Sequence, residues 1–193
     1  LLLVDSLSRV AHAQREIGLA IGEPPTTKGY PPSVFSLIPK LIERAGTGTA
    51  SQGSITAIYT LLAEGDDLND PVVDIARASL DGQVVLSRSL ADAAHYPAID
   101  LIGSISRLMP VICSKEEIEA ANNFRRLWTT YKQSEDLINV GAYDAGANSD
   151  LDRDIDLLPQ LEKFLRQGMD ERFDQQSSTA LMQSCLGKAA NGG

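Results

Sequence analysis

One carboxylate in this sequence stands where it could help to bind a metal ion. Leu1–Val4 are apolar, and Asp5 follows them directly. A short apolar run of this kind suits a strand that is buried on both faces. A carboxylate at the end of such a strand can hold a water ligand of Mg²⁺ beside phosphate groups. An Asp in this place can equally cap the next helix, so the pattern alone leaves both roles open.

The glycine-rich segments lack the partner residues of a phosphate-binding loop. Such a loop needs Gly-Lys followed by Ser or Thr, because the lysine and the hydroxyl reach the phosphates and the metal. Gly187-Lys188 is followed by Ala189, and no Lys-Ser/Thr follows the glycines of residues 46–53. The sequence therefore contains no phosphate-binding loop, and we expect this chain alone not to hydrolyse a nucleotide.

Two further patterns resemble metal sites but miss an essential residue. His12 and Glu16 would share a helix face, yet the HExxH spacing of a zinc site is missing. The alternating aspartates of 150–154 begin like a calcium loop, but Ile155 stands where that loop requires glycine. We expect the first pair to be packed or solvated and the second segment to be a charged helix start.

The composition is that of an ordinary globular protein with an acidic surface. It is 43% hydrophobic and 22% charged, with a formal net charge of −9. Such a balance provides no general basic footprint for nucleic acid. Cys113 and Cys185 lie far apart without CxxC spacing, which favours a reducing cytosol over a disulfide framework. No apolar run approaches the roughly 18 residues of a membrane helix, so we expect a soluble protein.

The elements that must position Asp5 alternate between strands and helices. Strands are predicted at residues 1–5, 54–63 and 82–86, and helices after Ser6, after a cap at Ser33 and from Pro71. Proline at the first position of a helix costs no hydrogen bond. This alternation predicts an α/β fold with a parallel sheet flanked by helices.

The character of the sequence changes after Pro110. Ser114 and Glu117 have the spacing of a capping box, and helical patterns then continue to about residue 167. We predict a core over residues 1–112, a helical domain over 113–174, and a flexible Gln/Ser/Ala/Gly-rich tail over 175–193. An apolar stripe in a predicted helix, formed by Phe124, Leu127, Trp128 and Tyr131, predicts core packing.

A series of motifs follows Asp5 along the chain. In chain order they are Asp5-Ser6-Leu7-Ser8-Arg9, Ala13-Gln14-Arg15-Glu16-Ile17-Gly18, Gly29-Tyr30-Pro31-Pro32-Ser33, Gly53-Ser54-Ile55-Thr56-Ala57, Glu64-Gly65-Asp66-Asp67, His95-Tyr96-Pro97-Ala98-Ile99-Asp100 and Ser104-Ile105-Ser106-Arg107. This series closely resembles the flagellar and type III secretion export ATPases, which are related to the catalytic subunit of the rotary ATP synthases. The resemblance covers roughly residues 1–167.

The resemblance implies an architecture and an activity. The fold would be the C-terminal part of a RecA-like P-loop NTPase core, beginning at the Walker B strand, followed by a small all-helical domain. The family forms homohexamers that hydrolyse ATP with Mg²⁺ at subunit interfaces and energise flagellar or type III protein export. Its partners would be a central stalk, peripheral stator or regulator proteins, and export substrates with their chaperones. Its location would be the cytoplasm, peripheral at the inner face of the cytoplasmic membrane through the export gate.

The resemblance also assigns roles to individual residues. Asp5 would be the Walker B carboxylate that holds Mg²⁺ through water. Tyr96 would stack on adenine, although a Tyr before Pro could equally plug a core. Arg107 would be an arginine finger that acts on a neighbouring subunit's nucleotide; otherwise it forms a surface salt bridge. Arg9 and Glu16 would support the site by fixing helix and sheet through an ion pair, or act in catalysis directly.

Other functions share parts of this pattern. A non-hydrolysing, nucleotide-binding scaffold subunit of a rotary-type ring would have the same fold and would lack a catalytic glutamate. A hexameric RNA translocase is disfavoured by the acidic balance. The acidic loop of residues 64–70 either faces a central stalk or is a solvated turn.

Overall fold

The computed structural model describes residues 1–49, 51–63, 65, 67, 69–144, 146 and 148–187. Its contacts divide the chain into two compact units, Leu1–Asp81 and Gly82–Gly193. Each unit is described below by itself. The predicted boundary near residue 112 stays a prediction.

The first unit contains a parallel pair of strands, as the sequence predicts. Strand β1 (Leu2–Val4) pairs with β4 (Ala57–Tyr59), and Val4 lies opposite Tyr59. Between them in the chain, β2 (Gly46–Thr47) and β3 (Ser54–Ile55) form a short antiparallel pair. The parallel pair places the ends of β1 and β4 at one edge, where Asp5 and Thr60 follow.

Three helices form the core of the first unit: α1 (Leu7–Ala20), α2 (Pro32–Ile42) and α3 (Pro71–Ser79). The segment between α1 and α2 contains a single 3-10 turn, Thr27–Gly29. A Cβ at Gly18 would lie 2.7 Å from the ring of Pro31, so the close approach of α1 to the start of α2 requires glycine. The buried apolar cluster comprises Leu7, Ala11, Tyr30, Val34, Ile38, Ile42, Val72 and Ala76.

The predicted cap at Ser33 is wrong. Helix α2 begins two residues earlier than this cap implies, at Pro32, with Pro31 in the cap position and no capping side chain. Ser33 is engaged by tertiary partners, because its backbone N–H donates to Glu23 Oε2 at 3.1 Å and its Oγ accepts from Gln14 Nε2 at 3.0 Å. Proline at the first helical position needs no N–H acceptor, so the helix starts there without a cap.

The second unit begins with an antiparallel pair instead of a further parallel strand. Strand β5 (Gly82–Leu86) is where the sequence predicts a strand, but it pairs with β6 (Ile99–Ser106), which the sequence patterns missed. The short helix α4 (Arg88–Asp92) lies in the connection.

Helices form the rest of the second unit: α5 (Met109–Ile112), α6 (Lys115–Asn139), α7 (Ser149–Leu165) and α8 (Gln175–Gly187). The predicted capping box is confirmed: Ser114 Oγ accepts from Glu117 N, and Glu117 Oε2 accepts from Ser114 N. The predicted core stripe is confirmed for Phe124, Leu127 and Trp128, which are buried with Leu157 and Leu161, whereas Tyr131 is only half-buried.

The segment expected to be a flexible tail contains α8. Its Met182, Cys185 and Leu186 pack against the cluster around Phe124 and Leu161. Polar composition hid this helix, because its few apolar residues make a narrow stripe. Residues 188–193 lie outside the described part. No helix within the described residues is long and apolar enough to cross a membrane.

Candidate functional site

Asp5 lies at the edge where the two parallel strands end. Its Oδ1 accepts a hydrogen bond of 2.8 Å from the hydroxyl of Thr60, and the residue is exposed. Backbone bonds hold the two strand ends together: Thr60 N–H donates to Val4 O and Leu7 N–H donates to Thr60 O, both at 3.0 Å. The carboxylate is thus fixed by a neighbouring strand while remaining accessible to solvent.

Helix capping at this edge is performed by Ser6 and not by Asp5. The Ser6 side chain accepts from the backbone N–H of Arg9 at 3.3 Å, and Ser6 is buried. The alternative left open by the sequence, that Asp5 merely caps α1, is therefore wrong. Its carboxylate is available for another role.

The donor set around Asp5 fits Mg²⁺ held through water. Mg²⁺ prefers oxygen ligands, keeps several waters and is often bound through one or two carboxylates together with substrate phosphates. Asp5 and Thr60 supply one carboxylate and one hydroxyl at an open edge. Among the described residues no group of three or more His, Cys, Asp or Glu could hold a metal alone. The protein atoms at this edge suit a shared metal site and not a closed protein cage.

Tyr96 lies in the loop between α4 and β6. The residue is 56% exposed, so it is not a core plug. The loop is held through its backbone, since the Tyr96 carbonyl accepts from Gln167 N–H at 3.0 Å. An exposed ring on an anchored loop can offer its face to a planar ligand.

Arg107 follows directly after β6 and is exposed. The strand before it is tied to α6, because the Arg125 guanidinium donates to the carbonyls of Leu101 and Ser104. Tyr96 and Arg107 belong to the second unit, whereas Asp5 belongs to the first.

Arg9 and Glu16 are both exposed on α1. Neither side chain forms an ion pair with any other residue in the described part of the chain. The structure thus shows no contact through which the pair fixes helix to sheet, and their supporting role stays a prediction.

Sequence patterns missed Thr60 as the partner of Asp5. A signal was present, because Thr60 is a polar residue in the second predicted strand, and carboxyl ends of neighbouring parallel strands meet at one edge. The predicted strand, however, extended to residue 63 and placed Thr60 inside it. Strand β4 ends at Tyr59.

An ion-pair cluster near the acidic loop was also missed. Lys28 Nζ lies 2.5 Å from Asp67 Oδ2 and 3.5 Å from Asp70 Oδ2. The hydrogen bond with Asp67 raises the pKa of Lys28 and lowers the pKa of Asp67. Glu64, Asp66 and Leu68 lie outside the described residues. The role predicted for the whole acidic loop therefore stays a prediction.

His95 is a buried ionisable residue beside Tyr96. It is 4% exposed. Burial lowers its pKa first, the cations of Arg166 and Lys132 lower it further, and Glu162 with a hydrogen bond to the Leu165 backbone partly opposes them. The imidazole is therefore neutral at pH 7. No local signal distinguishes this buried histidine from an exposed one.

Comparison with family models matches both parts of the chain. Residues 1–106 match the ATP synthase alpha/beta family, nucleotide-binding domain. Residues 113–184 match the C-terminal domain of the type III secretion ATPase EscN.

Curated relatives include flagellar and secretion proteins. The flagellum-specific ATP synthase of Pseudomonas aeruginosa is 57% identical over 96% of this chain and 41% of its own length. That of Bacillus subtilis is 52% identical over 96% of this chain and 42% of its own length. A type 3 secretion system ATPase of Sinorhizobium fredii is 49% identical over 94% of this chain and 40% of its own length.

Solved structures agree with these matches. The assembled ATPase EscN from the type III secretion system of enteropathogenic E. coli superposes with a TM-score of 0.90 at 42% identity, covering 95% of this chain and 44% of that one. EscN in complex with its central stalk EscO gives a TM-score of 0.82 at 40% identity, covering 95% of this chain and 43% of that one. The chain thus spans less than half the length of each of the relatives and structures named above.

The matches confirm the predicted resemblance to flagellar and type III secretion ATPases and the predicted fold, a RecA-like core followed by a helical domain. One model alone covers more than half of the sequence. The chain belongs to the ATP synthase alpha/beta family.

Proposed function

We propose that this chain is part of an ATPase that forms a homohexameric ring and energises flagellar or type III protein export. The observation that carries the proposal is the Asp5 carboxylate, exposed at the end of a parallel strand and held by the Thr60 hydroxyl. A nucleotide site places a carboxylate at this edge to hold a water ligand of Mg²⁺. The names of the relatives supply the link to export.

Three residues of this chain would act on ATP. Asp5 would orient a water on Mg²⁺, Tyr96 would stack on adenine, and Arg107 would reach the nucleotide of a neighbouring subunit. When bound, the metal neutralises charge on the phosphates. Arg107 suits charge stabilisation in trans, because its guanidinium is planar and always charged. A phosphate-binding loop must come from sequence that this chain does not contain.

The partners follow from the same proposal. EscN has been solved both assembled and with its central stalk, so a ring of identical subunits around a stalk is the assembly we propose here. Stator or regulator proteins, export substrates and their chaperones would bind the ring. It would lie in the cytoplasm, peripheral at the inner face of the membrane through the export gate.

The decisive experiment substitutes Arg107 in the intact protein. We expect Arg107→Ala to lower kcat by about 10³-fold, because an arginine finger acts mainly on the transition state. Nucleotide affinity, measured by fluorescence titration, should change little. Arg172→Ala, which removes another exposed arginine of the same unit, should leave kcat unchanged.

A second substitution tests the metal role. Asp5→Asn keeps the shape but removes the charge, so we expect loss of Mg²⁺-dependent hydrolysis while nucleotide binding without Mg²⁺ persists. Asp81→Asn, at another exposed aspartate, is the control.

Normal hydrolysis by Arg107→Ala would overturn the finger assignment. Nucleotide binding without hydrolysis by the unmodified intact protein would instead identify a scaffold subunit.

A further inference from the structure

Strand β6 contains an irregular segment shortly before Arg107. Gly82 and Gln83 pair with Ser106 and Ile105, whereas Val85 and Leu86 pair with Asp100 and Ile99. The register shift leaves residues 101–104 without opposite partners on β5. Backbone groups released from a ladder need other hydrogen-bond partners, since leaving them unpaired is costly.

Side chains on and opposite the strand satisfy part of this segment. Asp100 Oδ1 accepts from the N–H groups of Ile102 at 2.9 Å and Gly103 at 3.1 Å. Gln83 Nε2 donates to Gly103 O at 2.9 Å. These bonds keep the irregular segment ordered within the β5–β6 pair but do not attach it to a helix.

Arg125 makes that attachment from α6. Its Nη2 donates to Leu101 O at 2.8 Å and also to Ser104 O. The two carbonyls belong to the first and last residues of the irregular segment, and a planar guanidinium can hold both in a fixed geometry. Leu101 also packs against the helical cluster that contains Phe124 and Leu127. One half-buried arginine thus fixes the strand to the helical core of the same unit.

We propose that Arg125 is a positioning residue for Arg107. Ser104 lies three residues before Arg107, and β6 ends at Ser106. Holding the Ser104 carbonyl therefore fixes the direction in which the chain leaves the strand and presents the Arg107 side chain. This inference rests on the finger role proposed for Arg107. It assigns to helix α6 an indirect part in the reaction, because Arg125 acts by orienting Arg107.

The test is a double-substitution cycle in the intact protein. We expect Arg125→Ala to lower kcat by roughly 10²-fold, because misplacing a catalytic group by about 1 Å costs that much. KM for ATP should stay nearly constant, since the finger acts on the transition state. In the Arg107→Ala background, Arg125→Ala should lower kcat no further, because the group that it positions is gone.

Two further variants make the cycle specific. Arg126→Ala removes the neighbouring arginine on α6, whose Nη2 contacts Asn123 and not β6, and it should keep the wild-type kcat. Arg125→Lys keeps the charge but not the fork, so it should restore kcat only in part. If Arg125→Ala does not fold, as judged by circular dichroism, Arg125→Lys replaces it in the same cycle.

Each result decides the proposal. An unchanged kcat in Arg125→Ala, or an equal further loss of kcat when Arg107 is already alanine, would overturn it. A full kcat in Arg107→Ala would remove the finger role itself, which is a failure of the proposed function and is seen without any Arg125 variant. Hydrogen exchange of the peptide covering 99–107 should increase in Arg125→Ala and not in Arg126→Ala.

Discussion

Among the described residues, both units bury polar side chains, but they give them different partners. In the described part of the first unit the buried polar residues are Ser6, Ser8 and Asp70. Ser6 caps α1, and Asp70 Oδ1 caps α3 by accepting from Val72 N–H at 2.8 Å. The Ser8 hydroxyl accepts from Leu62 N–H at 2.8 Å and lies 3.3 Å from Leu62 O. Backbone groups of nearby elements are thus the main partners.

In the second unit the buried polar residues are ionisable and lie beside charges. They are His95 and Asp154, at 4% and 1% exposure. Arg153 Nη2 lies 3.9 Å from Asp154 Oδ1. Arg166, which directly follows α7, lowers the pKa of His95, and Glu162 of α7 raises it.

This difference separates two ways of holding a functional segment. The stability that a helix cap provides depends on local backbone geometry and changes little with pH. The stability that a buried imidazole provides among charges depends on the protonation of the imidazole. The first unit holds the Asp5 edge by the former means. In the second unit the loop that carries Tyr96 is held by a backbone hydrogen bond from Gln167 and follows the buried His95, so we expect the stability of this loop to respond to acidification.

The largest expected effect tests whether the two units have equivalent apolar cores. Ile38 in the first and Leu161 in the second are both 0% exposed. We expect Ile38→Ala and Leu161→Ala each to lower the free energy of unfolding by about 2–5 kcal/mol, because each leaves a cavity. Denaturant titration monitored by circular dichroism measures the loss, and hydrogen exchange locates it.

Exposed apolar residues of the same two units provide the controls. Ile17→Ala and Leu137→Ala remove side chains that are each 55% exposed and should change the free energy of unfolding by less than about 0.5 kcal/mol. If one core substitution cost no more than its control, the two cores would not be equivalent.

A smaller effect tests capping in the first unit. Asp70→Ala should lower the free energy of unfolding by about 0.5–2 kcal/mol, because α3 loses its cap. Asp70→Asn keeps an accepting oxygen but loses the charge facing Lys28, so it should recover most of the stability. Asp74→Ala, on the exposed face of α3, is the matched control. Equal losses from Asp70→Asn and Asp70→Ala would show that charge and not capping matters.

The sequence predicted the features that depend on local chemistry. The Ser114 and Glu117 capping box, the start of α3 at Pro71 and the core positions Phe124 and Trp128 are confirmed. Each follows from a residue's own backbone geometry or from helical periodicity. The family motifs predicted the fold because proteins that share these motifs share the fold.

Features that depend on tertiary contacts could not be predicted in this way. Strand β6 was missed because Asp100, Gly103 and two serines interrupt its apolar pattern, and those residues serve the irregular segment. The Asp5 contact with Thr60 spans 55 positions, and Arg125 reaches its carbonyl partners across more than 20. Periodicity contains no information on such distant pairs.

The smallest effect concerns acidification of the second unit. The pKa of His95 is lowered in the folded state below its ordinary value of 6.5, chiefly by burial and then by Arg166. At pH values between the lowered pKa of the folded state and 6.5, the unfolded chain binds more protons than the folded chain. The free energy of unfolding therefore falls as pH drops below about 6.5 and changes little above pH 7. We expect hydrogen exchange at the Gln167 N–H, which donates to Tyr96 O, to show this loss between pH 7 and pH 5 after correction for the intrinsic rate.

His95→Gln should remove the pH dependence, while His12→Gln, at an exposed histidine, should retain it. If the pH dependence of exchange were unchanged in His95→Gln, the sensitive group would lie elsewhere. The proposed difference between the two units would then be wrong.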